Sequence, residues 1–145
     1  MSIITVTRRF SFDAAHRLPQ HEGKCRNLHG HRYEVDLSVE GVPGENSGMV
    51  IDFSHLTSSV GRMINDVLDH ACILQRSDPL AQVLAAFVVP MRIVLMEGPP
   101  TAENMAVLLA ESAVKILQAE PVRVVKVRVW ETPKSFADWD ADAQA

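Results

Sequence analysis

Two runs of two-residue alternation constrain this chain more than anything else in it. In the first, residues 3–13, Ile4, Val6, Phe10 and Phe12 fall on one side, continuing to Ala14. Thr5, Thr7, Arg9, Ser11 and Asp13 fall on the other. In the second, Tyr33, Val35, Leu37 and Val39 alternate with Arg32, Glu34, Asp36, Ser38 and Glu40. Side chains of a strand point to opposite faces in turn, so each run is a half-buried strand with one face on a core. Both apolar faces run toward histidines. His16 is in register with Phe10 and Phe12 if the first strand persists that far, and His29 and His31 share the Tyr33 face if the second begins near Leu28.

Two imidazoles at i and i+2 on one face can converge on a single ion, and Gly30 leaves the turn between them without a side chain. Alone, an H-x-H is usually two histidines at a strand entrance, and a lone His at a strand end usually has a structural hydrogen bond. Here a third histidine and the thiol of Cys25, four residues before His29, stand with the pair. Three neutral imidazoles without a fourth protein ligand describe a catalytic Zn2+ site with an open position, a Lewis acid for a hydroxyl or carbonyl oxygen. Cys25 reads two ways: as completing a structural Cys-His site, or as a thiol of lowered pKa acting as base or nucleophile.

At 145 residues the chain is one domain by length, large enough for a real core. Its 47% apolar and 22% charged composition is that of a soluble globular protein. A net charge of −4 without a basic cluster argues against nucleic acid or an acidic membrane surface as partner. Two cysteines, no secretory segment and no long apolar run point to a cytoplasmic setting. No phosphate-binding glycine loop or G-x-S-x-G motif is present.

Further along, Pro19 and Gly23 make a loop that carries a solvated His21. Gly41 to Gly48 is a turn region, and Met49–Phe53 reads as a short buried strand. Leu56, Val60, Met63, Ile64, Val67 and Leu68 keep helical spacing over 54–69. That helix ends at Asp69-His70, which reads most simply as a C-terminus with a favourable histidine and otherwise as half of an acid–base relay. Residues 79–87 predict a short helix capped by Asp78, with Pro79 in its first turn, and 91–96 a buried strand. Thr101 is a good N-cap for a helix to about Gln118, whose stripe is Met105, Leu108, Leu109, Ser112, Ile116 and Leu117. The last strand, 122–131, carries Val125, Val127 and Val129 on one face. Glu131 follows that face, where a carboxylate is costly unless something donates to it: a salt bridge, or a ligand with paired N–H groups. The sum is an α+β protein, an antiparallel sheet with two main helices on one face, whose few strands leave edges for another subunit to cover.

Several of these segments, taken in order, carry a resemblance. Phe10-x-Phe12-x-Ala14-Ala15-His16-Arg17-Leu18, Cys25-x-x-x-His29-Gly30-His31, Met49-Val50-x-Asp52-Phe53, Leu68-Asp69-His70, Pro100-Thr101-x-Glu103-Asn104 and Trp130-Glu131-Thr132 resemble the 6-pyruvoyltetrahydropterin synthase / 6-carboxytetrahydropterin synthase family over about nine-tenths of the chain. The resemblance implies the tunnelling fold (T-fold), with subunits joining their sheets into a β-barrel, generally as a homohexamer (a dimer of trimers) with active sites between subunits. It implies Zn2+ on His16, His29 and His31, Cys25 as the catalytic thiol, and Asp69 and His70 as a proton relay from a neighbouring subunit. Glu131 would hold the pterin through its 2-amino and N3–H donors, with Thr101 and Glu103 lining the same pocket. The implied reaction is that of a lyase on 7,8-dihydroneopterin triphosphate. Three residues between Cys25 and His29 resemble the 6-carboxytetrahydropterin synthases of queuosine biosynthesis, whose products are 6-carboxy-5,6,7,8-tetrahydropterin, acetaldehyde and triphosphate; the pyruvoyl-forming enzymes typically carry a longer gap.

Segment 71–97 is longer than in compact members, and Ala71 stands where a second histidine often follows Asp-His. The single domain is expected over 1–136, with 137–145 a frayed acidic tail.

Overall fold

The computed structural model describes residues 1–144. Its six strands form one curled sheet in the order β4-β3-β1-β2-β5-β6. In chain order these are β1 (Ile4–His16), β2 (His29–Gly41), β3 (Ala71–Gln75), β4 (Ile93–Met96), β5 (Arg123–Thr132) and β6 (Ser135–Asp140). The alternating runs become the two central strands, paired antiparallel along their whole length from Ile4 opposite Gly41 to His16 opposite His29. The sheet is mixed rather than antiparallel throughout. β3 runs parallel to the end of β1, and β4 parallel to β3. For β4 the physical reason is a crossover: a helix separates it from β3, and helical crossovers return a chain in the parallel sense. β3 runs opposite to β2, the strand before it in the chain, and so lies parallel to β1.

Helix α1 (Phe53–Leu56) continues without a break through two wider-turned stretches, Thr57–Gly61 and Ile64–Leu68. Asp52 caps its start, accepting from the Ser54 N–H. Its face of Leu56, Val60, Ile64 and Leu68 is buried, and Gly61 lets it lie on Phe10: a Cβ there would meet the Phe10 ring at 2.7 Å. Helix α2 (Pro79–Ala85) is capped by Asp78 with Pro79 in its first turn, and α3 (Ala102–Ile116) is capped by Thr101. The buried stripe of α3 differs from the predicted one. Met105, Ala106, Leu109, Ala110, Ala113 and Leu117 are buried, whereas Ser112 is half-exposed and Ile116 is exposed. Small alanines let the helix axis approach the sheet, so the stripe follows close packing rather than side-chain size.

Three other expectations are corrected. Met49–Phe53 is not a strand: it finds no partner in the sheet, and Met49 and Phe53 are exposed. On β5 the register shifts opposite Ser38 and Val39, so Val124 is buried and Val125 takes the extra position. The tail expected to fray contributes β6 as far as Asp140, followed by a turn at Ala141–Ala143; Ala145 lies outside the described residues. β6 holds because Asp138 pairs with Arg128 at 2.7 Å across the strands, while Trp139 packs on the core.

The core lies between one face of the sheet and the helices. Phe12, Ala14, Tyr33, Val35, Leu37, Val39, Val127 and Val129 supply the sheet side. The opposite face carries charge pairs: Arg9 with Asp36 and Glu34, Arg32 with Asp13, and Arg128 with Asp138. No helix among the described residues is long and apolar enough to cross a membrane.

Candidate metal centre and adjoining cleft

At the end of the core face, where helical cover gives out, the alternation delivers its histidines. His16 closes β1, and His29 and His31 open β2. Their candidate ligand atoms all lie within 4.8 Å of one another. Gly30 permits this spacing, because a Cβ there would sit 3.2 Å from the Ala14 carbonyl oxygen on the neighbouring strand.

The outer ring nitrogens are fixed by backbone carbonyls. His16 Nδ1 is 2.8 Å from Pro100 O, and His29 Nδ1 is 2.7 Å from Asn27 O. A carbonyl only accepts, so each Nδ1 carries the proton and each Nε2 a lone pair. Yet His16 Nε2 and His29 Nε2 face each other at 3.1 Å. Two lone pairs at that distance repel unless a cation lies between them. His31 Nε2 is buried with no hydrogen-bond partner, and the nearest carboxylate oxygen, Oε1 of Glu131, is 3.9 Å away. Burial lowers the pKa of His16 and of His31, holding both in the neutral, ligating form. This donor set fits a zinc ion: three imidazole nitrogens, two of their rings oriented from behind by carbonyls, with one side left to a cleft.

Tyr33 belongs to the same cluster, its hydroxyl 3.2 Å from His16 Nδ1. Burial raises the phenol, so it remains protonated. Sequence reasoning read Tyr33 as core and missed this contact, although its register two residues after His31 carried the signal.

Glu131 reaches the cluster from β5. It sits where β5 and β6 slip register between Trp130 and Thr132, an irregularity that frees it from the ladder. A cleft of about 590 Å³ opens there, lined by Arg9, His31, Arg32, Glu34, Trp130 and Glu131 among others. Its volume suits a bicyclic ligand. No protein donor bonds the Glu131 carboxylate among the described residues, apart from the distant contact to His31.

Asp69 and His70 come together at the end of the helix that starts with α1. His70 Nδ1 is 2.9 Å from Asp69 Oδ2, and Asp69 Oδ1 accepts from the Asp13 N–H at 2.9 Å. That backbone bond, followed by the His70 contact, holds the Asp69 carboxyl below the usual range. The His70 ring is 78% exposed and borders a second cavity that also touches His31. Cys25 lies in a tight turn, Lys24–Arg26, just before β2, its carbonyl pinned by the Leu18 N–H at 2.8 Å. Thr101 and Glu103 stand apart from the cleft. Thr101 Oγ1 is occupied in capping α3, and Glu103 is exposed in the first helical turn, next to the Pro100 that orients His16.

Comparison with known proteins agrees with this geometry. The family model for 6-pyruvoyl tetrahydropterin synthase matches residues 5–142. A 6-carboxy-5,6,7,8-tetrahydropterin synthase of Haemophilus influenzae is 34% identical over 139 residues, covering 92% of this chain and 96% of that protein. One of Rickettsia conorii is 34% identical over 137 residues, covering 94% and 99%. Among solved structures, the 6-pyruvoyl tetrahydropterin synthase of Caenorhabditis elegans superposes with a TM-score of 0.75 at 27% identity, covering 97% of both chains.

Proposed function

The chain belongs to the 6-pyruvoyl tetrahydropterin synthase family, and from that premise we propose that it is a zinc-dependent lyase. Its substrate in this reading is 7,8-dihydroneopterin triphosphate, converted with uptake of one water to 6-carboxy-5,6,7,8-tetrahydropterin, acetaldehyde and triphosphate, a step toward queuosine and related 7-deazapurines. Two things favour the carboxy product: the three-residue gap between Cys25 and His29, and the names of the relatives from Haemophilus influenzae and Rickettsia conorii.

The observation that carries the proposal is the pairing of an unsatisfied three-imidazole cluster with an acceptor carboxylate on the same sheet face. Glu131 takes the pterin's 2-amino and N3–H donors, a fork matched to a carboxylate. His16, His29 and His31 would hold the zinc, which would supply Lewis acidity toward the side-chain diol of the substrate. Cys25 moves a proton at the side chain, and the Asp69–His70 pair moves the second, with Asp69 ionised and orienting the imidazole. Thr101 caps α3 beside the Pro100 carbonyl that orients His16, so its part in this reading is to hold that helix entrance rather than to touch the pterin.

The test is incubation with 7,8-dihydroneopterin triphosphate and mass-spectrometric identification of the product. His29→Ala and His31→Ala should purify with little zinc, since two imidazoles bind far more weakly than three. Cys25→Ala should keep zinc and fold but lose most turnover. Full zinc in either histidine variant, or a near wild-type rate without the thiol, contradicts the corresponding assignment.

A further inference from the structure

The Asp69–His70 turn is held in an unusual backbone conformation. His70 is the one non-glycine residue with positive φ among those described, at 63°. Such a conformation persists only where its surroundings over-determine it. Here the peptide group joining Asp69 to His70 is gripped at both ends. Its N–H, from His70, donates to Asp13 O on β1 at 2.6 Å. Its C=O, from Asp69, accepts from Arg92 Nη1 at 2.7 Å, and the same nitrogen lies 2.9 Å from Asn65 O.

We infer that Arg92 is a positioning residue that fixes the Asp69–His70 peptide plane, and through it the direction of the His70 imidazole. The inference rests on the acid–base role proposed above for that pair. Arg92 suits the task for three reasons. The last carbonyls of a helix lack intrahelical partners, and a guanidinium is a multiple donor that cannot lose its charge. Arg92 pairs with no carboxylate among the described residues, so its donors go to backbone oxygens. Its own backbone is tied in beside β4, where Arg92 O accepts from the Cys72 N–H at 2.9 Å. Segment 71–97 thereby acquires a role: β3 leads directly out of His70, and the approach to β4 returns the side chain that braces it.

The experiment compares Arg92→Ala, Arg92→Lys, His70→Ala and the Arg92→Ala/His70→Ala double variant with wild type. Arg92→Ala should lower kcat by roughly 10-fold or more, since small misplacements of a catalytic group cost that much. KM and zinc content should stay close to wild type, and the His70 amide should exchange faster with solvent. Arg92→Lys, which can still donate to one carbonyl, should recover part of the rate. On the His70→Ala background, Arg92→Ala should cost nothing further, because its effect passes through that imidazole. An undiminished loss on that background, or wild-type rate and amide protection in Arg92→Ala, overturns the positioning role. Wild-type turnover in His70→Ala instead removes the acid–base role itself, and the positioning role falls with it.

Discussion

Glu131 owes its place to parity and to a defect. Counting by twos along β5 from Val127 and Val129 brings it to the core face, and the slip against β6 leaves it outside the ladder with an unbonded carboxylate. Parity was legible in the sequence, and it located His16, His29, His31 and Glu131 on one face. The partners behind them were not: Pro100 O and Asn27 O are backbone groups, and Pro100 lies 84 residues from the His16 it orients. At this scale the prediction concerns Glu131→Gln. It keeps the shape but presents an amide donor to a ligand that also donates. Equilibrium binding of a pterin analogue should weaken by about 2–5 kcal/mol, with zinc content unchanged. Glu120→Gln is the control, because Glu120 is engaged with His55 at 2.9 Å and does not line the cleft. Equal affinity in both variants and wild type would leave Glu131 without a ligand role.

Among the elements, long periodic segments were readable, as were α2 from its cap and proline and β4 from its apolar run, whereas β3 and β6 were not. β1, β2 and the helix beginning at α1 follow their patterns over three or more turns or a dozen residues, and α3 keeps its predicted span though not its predicted stripe. β3 is five residues without alternation, which periodicity cannot tell from a helical fragment. β6 does alternate, but its carboxylates read as an acidic tail until Arg128 and Lys126 appear opposite them. The α2 cap shows what an element-level contact contributes. Asp78 is 2% exposed, accepts the Leu80 N–H at 2.9 Å and receives Arg17 Nε at 2.7 Å. Arg17 holds the Asp78 carboxyl below its ordinary 3.8. A depressed carboxylate stabilises the fold above the unfolded value and loses that contribution as pH falls through the folded one. Asp78→Asn should therefore be less stable than wild type in urea by a constant margin between pH 5 and 8. Part of the expected loss, about 3 kcal/mol, reflects Arg17 left without its partner. The margin should shrink below pH 4; a margin that grows there would contradict the pairing.

For the whole molecule, the sheet order leaves β4 and β6 as free edges at opposite ends. Where two different surfaces pair head to tail, the contacts close into a ring if the rotation closes and run on as a filament if it does not. The homohexamer that the family resemblance implies, a dimer of trimers, would use such edges, and it is an expectation to be tested. Sedimentation should give about 96 kDa, six times the 16.0 kDa chain. Specific activity should fall on dilution if active sites span subunits. A monomer of full activity at every concentration would exclude the shared site.

The bond from His16 to Pro100 ties the end of the first strand to the entrance of the last helix. An ion seated on the three histidines would thus recognise only the folded chain, since the unfolded one scatters His16 from the others. At a hundred times its dissociation constant, such a ligand adds about 2.7 kcal/mol to folding. Starved of metal, the cell would hold more of this protein unfolded and within reach of its proteases. Its abundance would then report the supply of the ion, independently of any demand for the product.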